Sequence, residues 1–296
     1  MYFCVSIHFM QIEDLLKKVH QLEIKTKMLS KHLFSGEYNS AFKGRGMSFS
    51  EVRSYQYGDD VRSMDWNVTA RTGSPHLKVF EEERELTLML AIDVSASSFL
   101  GSQESNKQGF MSEIAAILAF SALQNNDKVG LLLFSDVVEK YIPPKKGKAH
   151  VLFILRSLLA FEPKNKKTNL NISLEFMTSV LKKRSICFLL SDFFTQNYEK
   201  SIRIAARKHD LIGLQITDIL EEKMPAVGLV QFQDAESGES FWIDTDAIEV
   251  RNTYQSSFQN YHIQFKSVLQ KAGAEVLAMK TTDDYIKILM GFFRRR

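Results

Sequence analysis

The sequence contains few cysteines and prolines and has no long apolar run. Of its 296 residues, two are cysteine and five are proline. Cys4 and Cys187 lie far apart and belong to no C-x-x-C motif, which excludes a disulfide framework and favours the reducing cytoplasm. Because no stretch approaches the roughly eighteen apolar residues that cross a bilayer, we expect no direct membrane insertion.

A strong excess of one charge sign is absent as well, and so are several catalytic signatures. The 38 basic and 35 acidic residues leave a formal net charge of +3, so we expect no nucleic-acid partner. The chain has no G-x-S-x-G, no Walker-type Gly-Lys loop and no G-x-G-x-x-G, and its histidines form no evident triad. Residues 1–10 lack the basic start and the cleavage site of a signal peptide, and both Met1 and Met10 are candidate start residues.

What the sequence does contain is a repeated alternation of apolar runs and amphipathic segments. Residues 86–92 are apolar except Thr87, and such a short continuous run is typical of a strand buried on both faces. Similar runs at 129–134, 185–190 and 210–216 are separated by segments of helical periodicity. This alternation predicts an α/β fold with a doubly wound, mostly parallel sheet.

Three oxygen-bearing side chains directly follow the first of these strands. They are Asp93, Ser95 and Ser97. In open α/β sheets, ligands bind outside the carboxyl ends of the strands. Carboxylate and hydroxyl oxygens suit hard cations such as Mg²⁺, Mn²⁺ and Ca²⁺, and no His or Cys lies nearby to favour zinc. The alternative is an ordinary strand-to-helix turn in which Ser95 or Ser97 caps the helix.

Two later segments supply further oxygen ligands. Thr168 lies in a polar turn before a predicted helix, and Asp192 follows the buried run at 185–190. Asp136, after the run at 129–134, is a competing ligand that we assign instead to capping a turn. The ligand set resembles the metal-ion-dependent adhesion site of von Willebrand factor A domains, with Asp93, Ser95, Ser97, Thr168 and Asp192 as its members. This resemblance implies one divalent metal, most simply Mg²⁺, with Mn²⁺ and Ca²⁺ as alternatives.

The segment at 42–85 is rich in arginine, aspartate and aromatic residues. Arg53, Arg62 and Arg71 lie among acidic side chains, which favours an internal salt-bridge network over the alternative of a partner-binding surface. The pattern E-V-R-x-Y-x-x-G-D-D-V-R-x-x-D-W-N-x-x-A-R-T-G resembles the signature of a bacterial family, domain of unknown function 58. Members of that family are von Willebrand factor A-like and are associated with MoxR-type AAA+ ATPases. The matching residues are Glu51, Val52, Arg53, Tyr55, Gly58, Asp59, Asp60, Val61, Arg62, Asp65, Trp66, Asn67, Ala70, Arg71, Thr72 and Gly73.

The resemblance and the alternation together predict how the chain is organised. We expect an N-terminal helical segment at 1–40 and the signature segment at 41–85, packed on the sheet. Residues 86–296 are expected to form a von Willebrand factor A-like, Rossmann-type domain with a β-hairpin insertion at about 225–250. Adjacent prolines predict a basic loop at 143–148.

The resemblance implies a binding function rather than an enzyme. The expected module binds a divalent metal, and an acidic residue of another protein completes the metal's ligands. The implied partner is a MoxR-type AAA+ ATPase, in the assembly, maturation or remodelling of other proteins. A metal-dependent phosphohydrolase is one alternative, but Ser95 stands where such enzymes place a second acid after the nucleophile. RNA binding through 145–148 or 294–296 is the other alternative, and the small net charge disfavours it.

Overall fold

Strands and helices alternate along the chain, as the apolar pattern predicts. The computed structural model describes residues 47–82, 85–99, 101–102, 105–165, 167–233 and 240–296. The strands are β1 Met47–Ser54, β2 His76–Glu82, β3 Thr87–Asp93, β4 Gly101–Ser102, β5 Ser105–Asn106, β6 Lys128–Phe134, β7 Val138–Lys145, β8 Ile186–Ser191, β9 Asp210–Thr217, β10 Leu229–Gln233, β11 Ser240–Asp244 and β12 Glu275–Lys280. The helices are α1 Trp66–Thr72, α2 Lys107–Gln124, α3 Lys148–Leu159, α4 Leu170–Val180, α5 Glu199–Lys208, α6 Ile219–Glu222, α7 Ile248–Ala272 and α8 Tyr285–Arg295. The helical segment predicted at 1–40 lies outside the described residues.

Six of these strands form the central sheet, in the order β12-β9-β8-β3-β6-β7. Every neighbouring pair runs parallel except β6 and β7, which run antiparallel. Strand β3 is buried from Leu88 to Asp93, and all of β8 is buried. Strands covered on both faces need apolar residues at every position, which explains the continuous runs in the sequence. The predicted α/β class with a mostly parallel sheet is confirmed.

Helices cover both faces of this sheet. Leu88, Leu90 and Ile92 of β3 belong to a core shared with α2, α3 and α8. Met89 and Ala91 belong to a second core shared with α4, α5 and α7. Successive residues of a strand point to opposite faces, so one apolar run supplies both cores. The sheet is therefore doubly wound.

The chain changes direction across the sheet at the pair of strands β3 and β8. From β3 it proceeds to β6 and β7 on one side, and later to β8, β9 and β12 on the other. The connections leave β3 and β8 in opposite directions, which opens a crevice outside the carboxyl ends of these two strands. Such a switch point is where open α/β sheets bind ligands. Asp93 is the last residue of β3, and Asp192 directly follows β8.

The signature segment forms a separate two-stranded antiparallel sheet of β1 and β2, with α1 between them. The Asp65 carboxylate begins α1 by accepting hydrogen bonds from the N–H groups of Asn67 and Val68. The sequence predicts a strand at 76–80, but it does not predict β1 or α1. The packing of this segment on the central sheet stays a prediction.

The β-hairpin insertion is present between α6 and α7. Strands β10 and β11 pair antiparallel from Leu229 with Asp244 to Gln233 with Ser240. Several apolar side chains of this region are exposed, including Leu229, Phe241 and Trp242. Among the described residues, no helix combines the length and the apolar character needed to cross a bilayer.

The predicted loop at 143–148 is partly wrong. Strand β7 continues through Pro143 and Pro144 to Lys145 and still pairs with β6, where Lys145 lies opposite Val129. The register shifts between Val129 and Leu131, opposite the prolines. An edge strand tolerates proline because half of its N–H groups have no neighbouring strand to bond.

Candidate metal centre

Asp93 is fixed at the carboxyl end of β3 by two hydrogen bonds. The residue is 1% exposed. One oxygen accepts from the N–H of Ser95 at 2.9 Å, and the other accepts from the Ser191 hydroxyl at 2.7 Å. Ser191 ends β8, so this contact joins the ends of the two strands at the switch point. The carboxylate is therefore held in one orientation toward the crevice.

Two serine hydroxyls lie directly beyond Asp93. The Oγ atoms of Ser95 and Ser97 are 3.1 Å apart and hydrogen-bond to each other. Ser95 is buried, and Ser97 is half-buried in the short 3₁₀ helix Ala96–Phe99. The D-x-S-x-S turn thus gathers one carboxylate and two hydroxyls at the end of one buried strand.

Asp192 faces the same crevice from β8. It is buried, its Oδ1 accepts from the N–H of Phe194 at 3.1 Å, and its main-chain oxygen accepts from the Gln215 amide at 3.0 Å. Burial and, after it, the charge of Asp192 raise the pKa of Asp93 to about 7. Two acidic groups that share a buried site perturb each other in this way. The structure therefore brings Asp93 and Asp192 together, as the sequence predicts.

A buried lysine lies against Asp192. Lys107, the first residue of α2, is 0% exposed, and its Nζ is 3.0 Å from Asp192 Oδ2 and 2.6 Å from Glu221 Oε1. Burial alone would lower the pKa of Lys107, but Asp192 and Glu221 outweigh it and raise the pKa above its ordinary value. Burial raises the pKa of Glu221, and the nearby ammonium opposes that shift. Lys107 thus places an ammonium beside the predicted metal ligand Asp192.

Thr168 lies at the same edge of the sheet, beside the end of β6. The N–H of the next residue, Asn169, donates to the carbonyl of Ser135 at 3.0 Å, and Ser135 follows β6 directly. The Asn169 side chain then begins α4 by accepting from the N–H of Asn171. Thr168 is half-buried, and the hydrogen bonds of the described residues do not connect it to the other four predicted ligands.

Asp136 is engaged in a turn. Its Oδ1 accepts from the Asn165 amide at 2.8 Å, and the Ser135 hydroxyl lies 3.4 Å away. Asn165 comes from the segment between α3 and α4, so Asp136 ties that segment to the end of β6. This arrangement agrees with the turn-capping role expected from the sequence.

The residues of the crevice fit a hard cation. The carboxyl groups of Asp192 and Glu221 pair with one ammonium, that of Asp93 lies near Asp192, and hydroxyl oxygens are the remaining donors. Within the described ranges, no group of three or more His, Cys, Asp or Glu forms a metal site by itself. A metal here would therefore need the serine and threonine hydroxyls in addition to the carboxylates, and such oxygen donors suit Mg²⁺, Mn²⁺ or Ca²⁺.

The three arginines of the signature segment have different surroundings. Arg53 forms a two-pronged ion pair with Asp59, at 2.7 and 2.8 Å. This pair lowers the pKa of Asp59. The side chains of Arg62 and Arg71 are exposed. Arg53 therefore supports the interpretation of an internal network, whereas Arg62 and Arg71 remain accessible to a partner.

Sequence reasoning missed the lysine and its second partner. Lys107 is the one charged residue among the buried positions of α2, and a lone lysine on such a helix is the signal that could have found it. No sequence pattern pointed to Glu221, because α6 is four residues long and contains no recognisable motif.

A hydrogen-bond chain connects Asp192 with a cavity on the far side of β9. The Gln215 amide donates to the main-chain oxygen of Asp192, and Gln215 Oε1 lies 2.6 Å from Nδ1 of His262. His262 lines a cavity of about 440 Å³ together with Thr217, Phe258 and Lys280. The end of β8 is thus anchored to α7 through one buried glutamine.

Comparisons with known proteins identify the family of this chain. The uncharacterized protein Rv1480 of Mycobacterium tuberculosis (strain ATCC 25618 / H37Rv) is 28% identical over 280 residues, which cover 93% of this chain and 87% of that protein. An aerotolerance-related membrane protein from Bacteroides fragilis, solved with multiple mutations to serines, is 11% identical over 71% of this chain and 100% of its own, with a TM-score of 0.49. The SpRpn10 VWA domain is 10% identical over 70% of this chain and 95% of its own, with a TM-score of 0.43. The model of one family matches residues 51–263, and the chain therefore belongs to the family described as protein of unknown function DUF58.

Proposed function

We propose that this chain is a metal-dependent protein-interaction module. A divalent metal would be held by Asp93, Ser95, Ser97, Thr168 and Asp192. The metal is most simply Mg²⁺, with Mn²⁺ and Ca²⁺ as alternatives. The observation that carries this proposal is the pair of buried carboxyl groups, Asp93 and Asp192, beside two adjoining hydroxyls at the switch point of the sheet. When bound, the metal supplies a positive position at which a carboxylate of a partner protein can coordinate.

Charge supports this proposal. The crevice contains three carboxyl groups and one ammonium, so it carries excess negative charge when all four groups are ionised. Buried charge that is not compensated is costly, and the raised pKa of Asp93 expresses that cost. A divalent cation would neutralise the excess.

We propose binding rather than catalysis. The position two residues after Asp93 is Ser95, which offers a hydroxyl where a phosphohydrolase would need an acid. Cys187 is buried, and burial raises the pKa of its thiol, so it is not a nucleophile at neutral pH.

The proposed partner is a MoxR-type AAA+ ATPase, as the family resemblance implies, and the proposed location is the cytoplasm. The exposed Arg62 and Arg71 are candidate contacts for that partner.

Calorimetric titration of Mg²⁺, Mn²⁺ and Ca²⁺ tests the metal site. We expect millimolar or tighter binding by the unmodified protein and none by the double variant Ser95→Ala/Ser97→Ala. Asp136→Asn is the matched control, because Asp136 also follows a strand at this edge but is engaged with Asn165. Equal binding by the unmodified protein and the double serine variant would overturn the proposed site.

Binding of a purified MoxR-type ATPase tests the partner. We expect an interaction that is lost in excess EDTA, restored by Mg²⁺ and absent in Ser95→Ala/Ser97→Ala. An interaction that persists in EDTA would show that the ATPase does not use the metal.

A further inference from the structure

Lys107 occupies an unusual position for a lysine. It begins α2 with its side chain fully buried, and its ammonium lies between Asp192 and Glu221. Lysine is almost never fully buried unless it is paired, because removing a charge from water is costly. The two acids come from different parts of the fold, one after β8 and the other in α6. The ammonium therefore holds three elements together at the crevice.

The same Asp192 carboxylate is a member of the proposed metal site. Its Oδ1 accepts from the N–H of Phe194, and its Oδ2 accepts from Lys107. A metal that uses Asp192 must share this carboxylate with the ammonium or replace it. Repulsion between two cations in a buried site is strong, because little water is present to screen it.

We propose that Lys107 is a built-in competitor of the divalent cation for Asp192. Binding of the metal displaces the ammonium from Asp192 and leaves it paired with Glu221 alone. The inference rests on the metal site proposed above. Lys107 thereby sets the affinity of the site: it satisfies Asp192 in the metal-free protein, and the metal must compete with it.

Glu221 gives the displaced ammonium a second partner. The Glu221 Oε1 accepts from Lys107 at 2.6 Å, while its Oε2 accepts from the N–H of Asp218 at 2.8 Å. Glu221 is held in place by this second bond, so it remains available when Asp192 turns to the metal. Because the Lys107 ammonium already bonds Glu221, loss of its contact with Asp192 would not leave it without a partner.

Metal titration of Lys107→Met tests the inference, because methionine keeps the unbranched stem and removes the charge. We expect Mg²⁺ and Mn²⁺ to bind at least about tenfold more tightly than in the unmodified protein. Lys280→Met is the matched control, since Lys280 pairs with Glu222 and is partly exposed. Its change in affinity should stay below about threefold, because solvent screens that charge.

A second variant and a second measurement guard against a fold defect in Lys107→Met. Lys107→Met/Glu221→Gln removes the lysine together with the charge of its other partner, and we expect the same tighter binding. In the unmodified protein, ¹⁵N NMR of lysine side chains should show a shift of the Lys107 ammonium signal during Mg²⁺ titration, and no shift in Ser95→Ala/Ser97→Ala.

The outcomes separate this inference from the proposed function. If the unmodified protein binds metal and both lysine variants bind it equally or more weakly, Lys107 is not a competitor, and the metal site stands. If neither the unmodified protein nor the lysine variants bind metal, the proposed site itself is wrong, and the inference fails with it.

Discussion

His209 is a buried histidine without a hydrogen-bond partner among the described residues. It follows α5, is 1% exposed, and neither ring nitrogen has a partner there. Burial, together with the charges of Lys208 and Arg184, lowers its pKa from 6.5 to about 4. The unfolded chain therefore binds a proton between these pH values that the folded chain does not bind. Because of this group, the free energy of unfolding increases as pH rises from about 4 to 6.5 and decreases again on acidification.

Replacing this histidine should make the free energy of unfolding less sensitive to acidification. We expect the free energy of unfolding of His209→Phe to fall less than that of the unmodified protein between pH 7 and pH 5, by of order 2 kcal/mol. Urea denaturation at both pH values measures the difference. An unchanged fall would mean that His209 is protonated in the folded protein or becomes accessible to water.

Asp93, Ser95, Ser97 and Asp192 could be predicted because each follows a strand that is visible in the sequence. Asp93 and Asp192 come at the ends of apolar runs, and parallel strands bring such ends to one edge. The pairing of Lys107 with Asp192 and Glu221 could not be predicted, because these partners lie 85 and 114 residues away in the sequence. No local pattern specifies a buried ion pair of that separation.

At the scale of elements, α7 packs closely on β9 over a glycine. A Cβ atom placed on Gly213 would lie 2.2 Å from Leu269 Cδ2 and 3.2 Å from Phe265 Cε2. Both side chains belong to the core under α7. The missing side chain therefore allows the helix to approach the sheet.

Adding one methyl group at this contact should destabilise the fold. We expect Gly213→Ala to lower the free energy of unfolding by about 1–3 kcal/mol, the usual cost of overpacking a core. Gly291→Ala in α8 is the matched control, since no atom lies within 4 Å of its added Cβ, and it should raise stability by about 0.5–1 kcal/mol. Urea denaturation compares the two, and a neutral Gly213→Ala would contradict the close packing.

The elements that the sequence predicts are those with strong periodicity or continuous apolar runs. Strands β3, β6 and β8 and helix α2 are of this kind, whereas β1 and α1 depend on turns and capping in a segment dominated by charged residues. The continuation of β7 through two prolines depends on its position at the sheet edge, which local sequence does not reveal.

At the scale of the whole molecule, the central sheet and the sheet of β1 and β2 differ in how deeply their described side chains are buried. β3 lies between β6 and β8 with six consecutive buried residues. Between residues 51 and 78, by contrast, Leu77 and Asp65 are the buried side chains. A two-stranded sheet whose described side chains are mostly exposed or half-buried opens more readily than a covered sheet.

Hydrogen exchange should resolve this difference. We expect the amides of β1 and β2 to exchange at least about a hundredfold faster than those of β3 and β8, since local opening requires less free energy than global unfolding. Mass spectrometry of peptic peptides measures both regions in one experiment. Equal protection would mean that the signature segment opens only with the central sheet, as expected if it is firmly packed on that sheet.

The two prolines of β7 limit how a strand of another chain can pair with this edge of the sheet. Successive N–H groups of a strand point to opposite sides, so one of the two donors missing at Pro143 and Pro144 would have pointed away from β6, toward the outside of the sheet. A foreign strand cannot form a regular ladder along that side, which protects the edge against amyloid-like stacking and accidental pairing between copies. Within the central sheet, strand addition by a partner is therefore expected at β12, the opposite edge, whose six residues all have N–H donors.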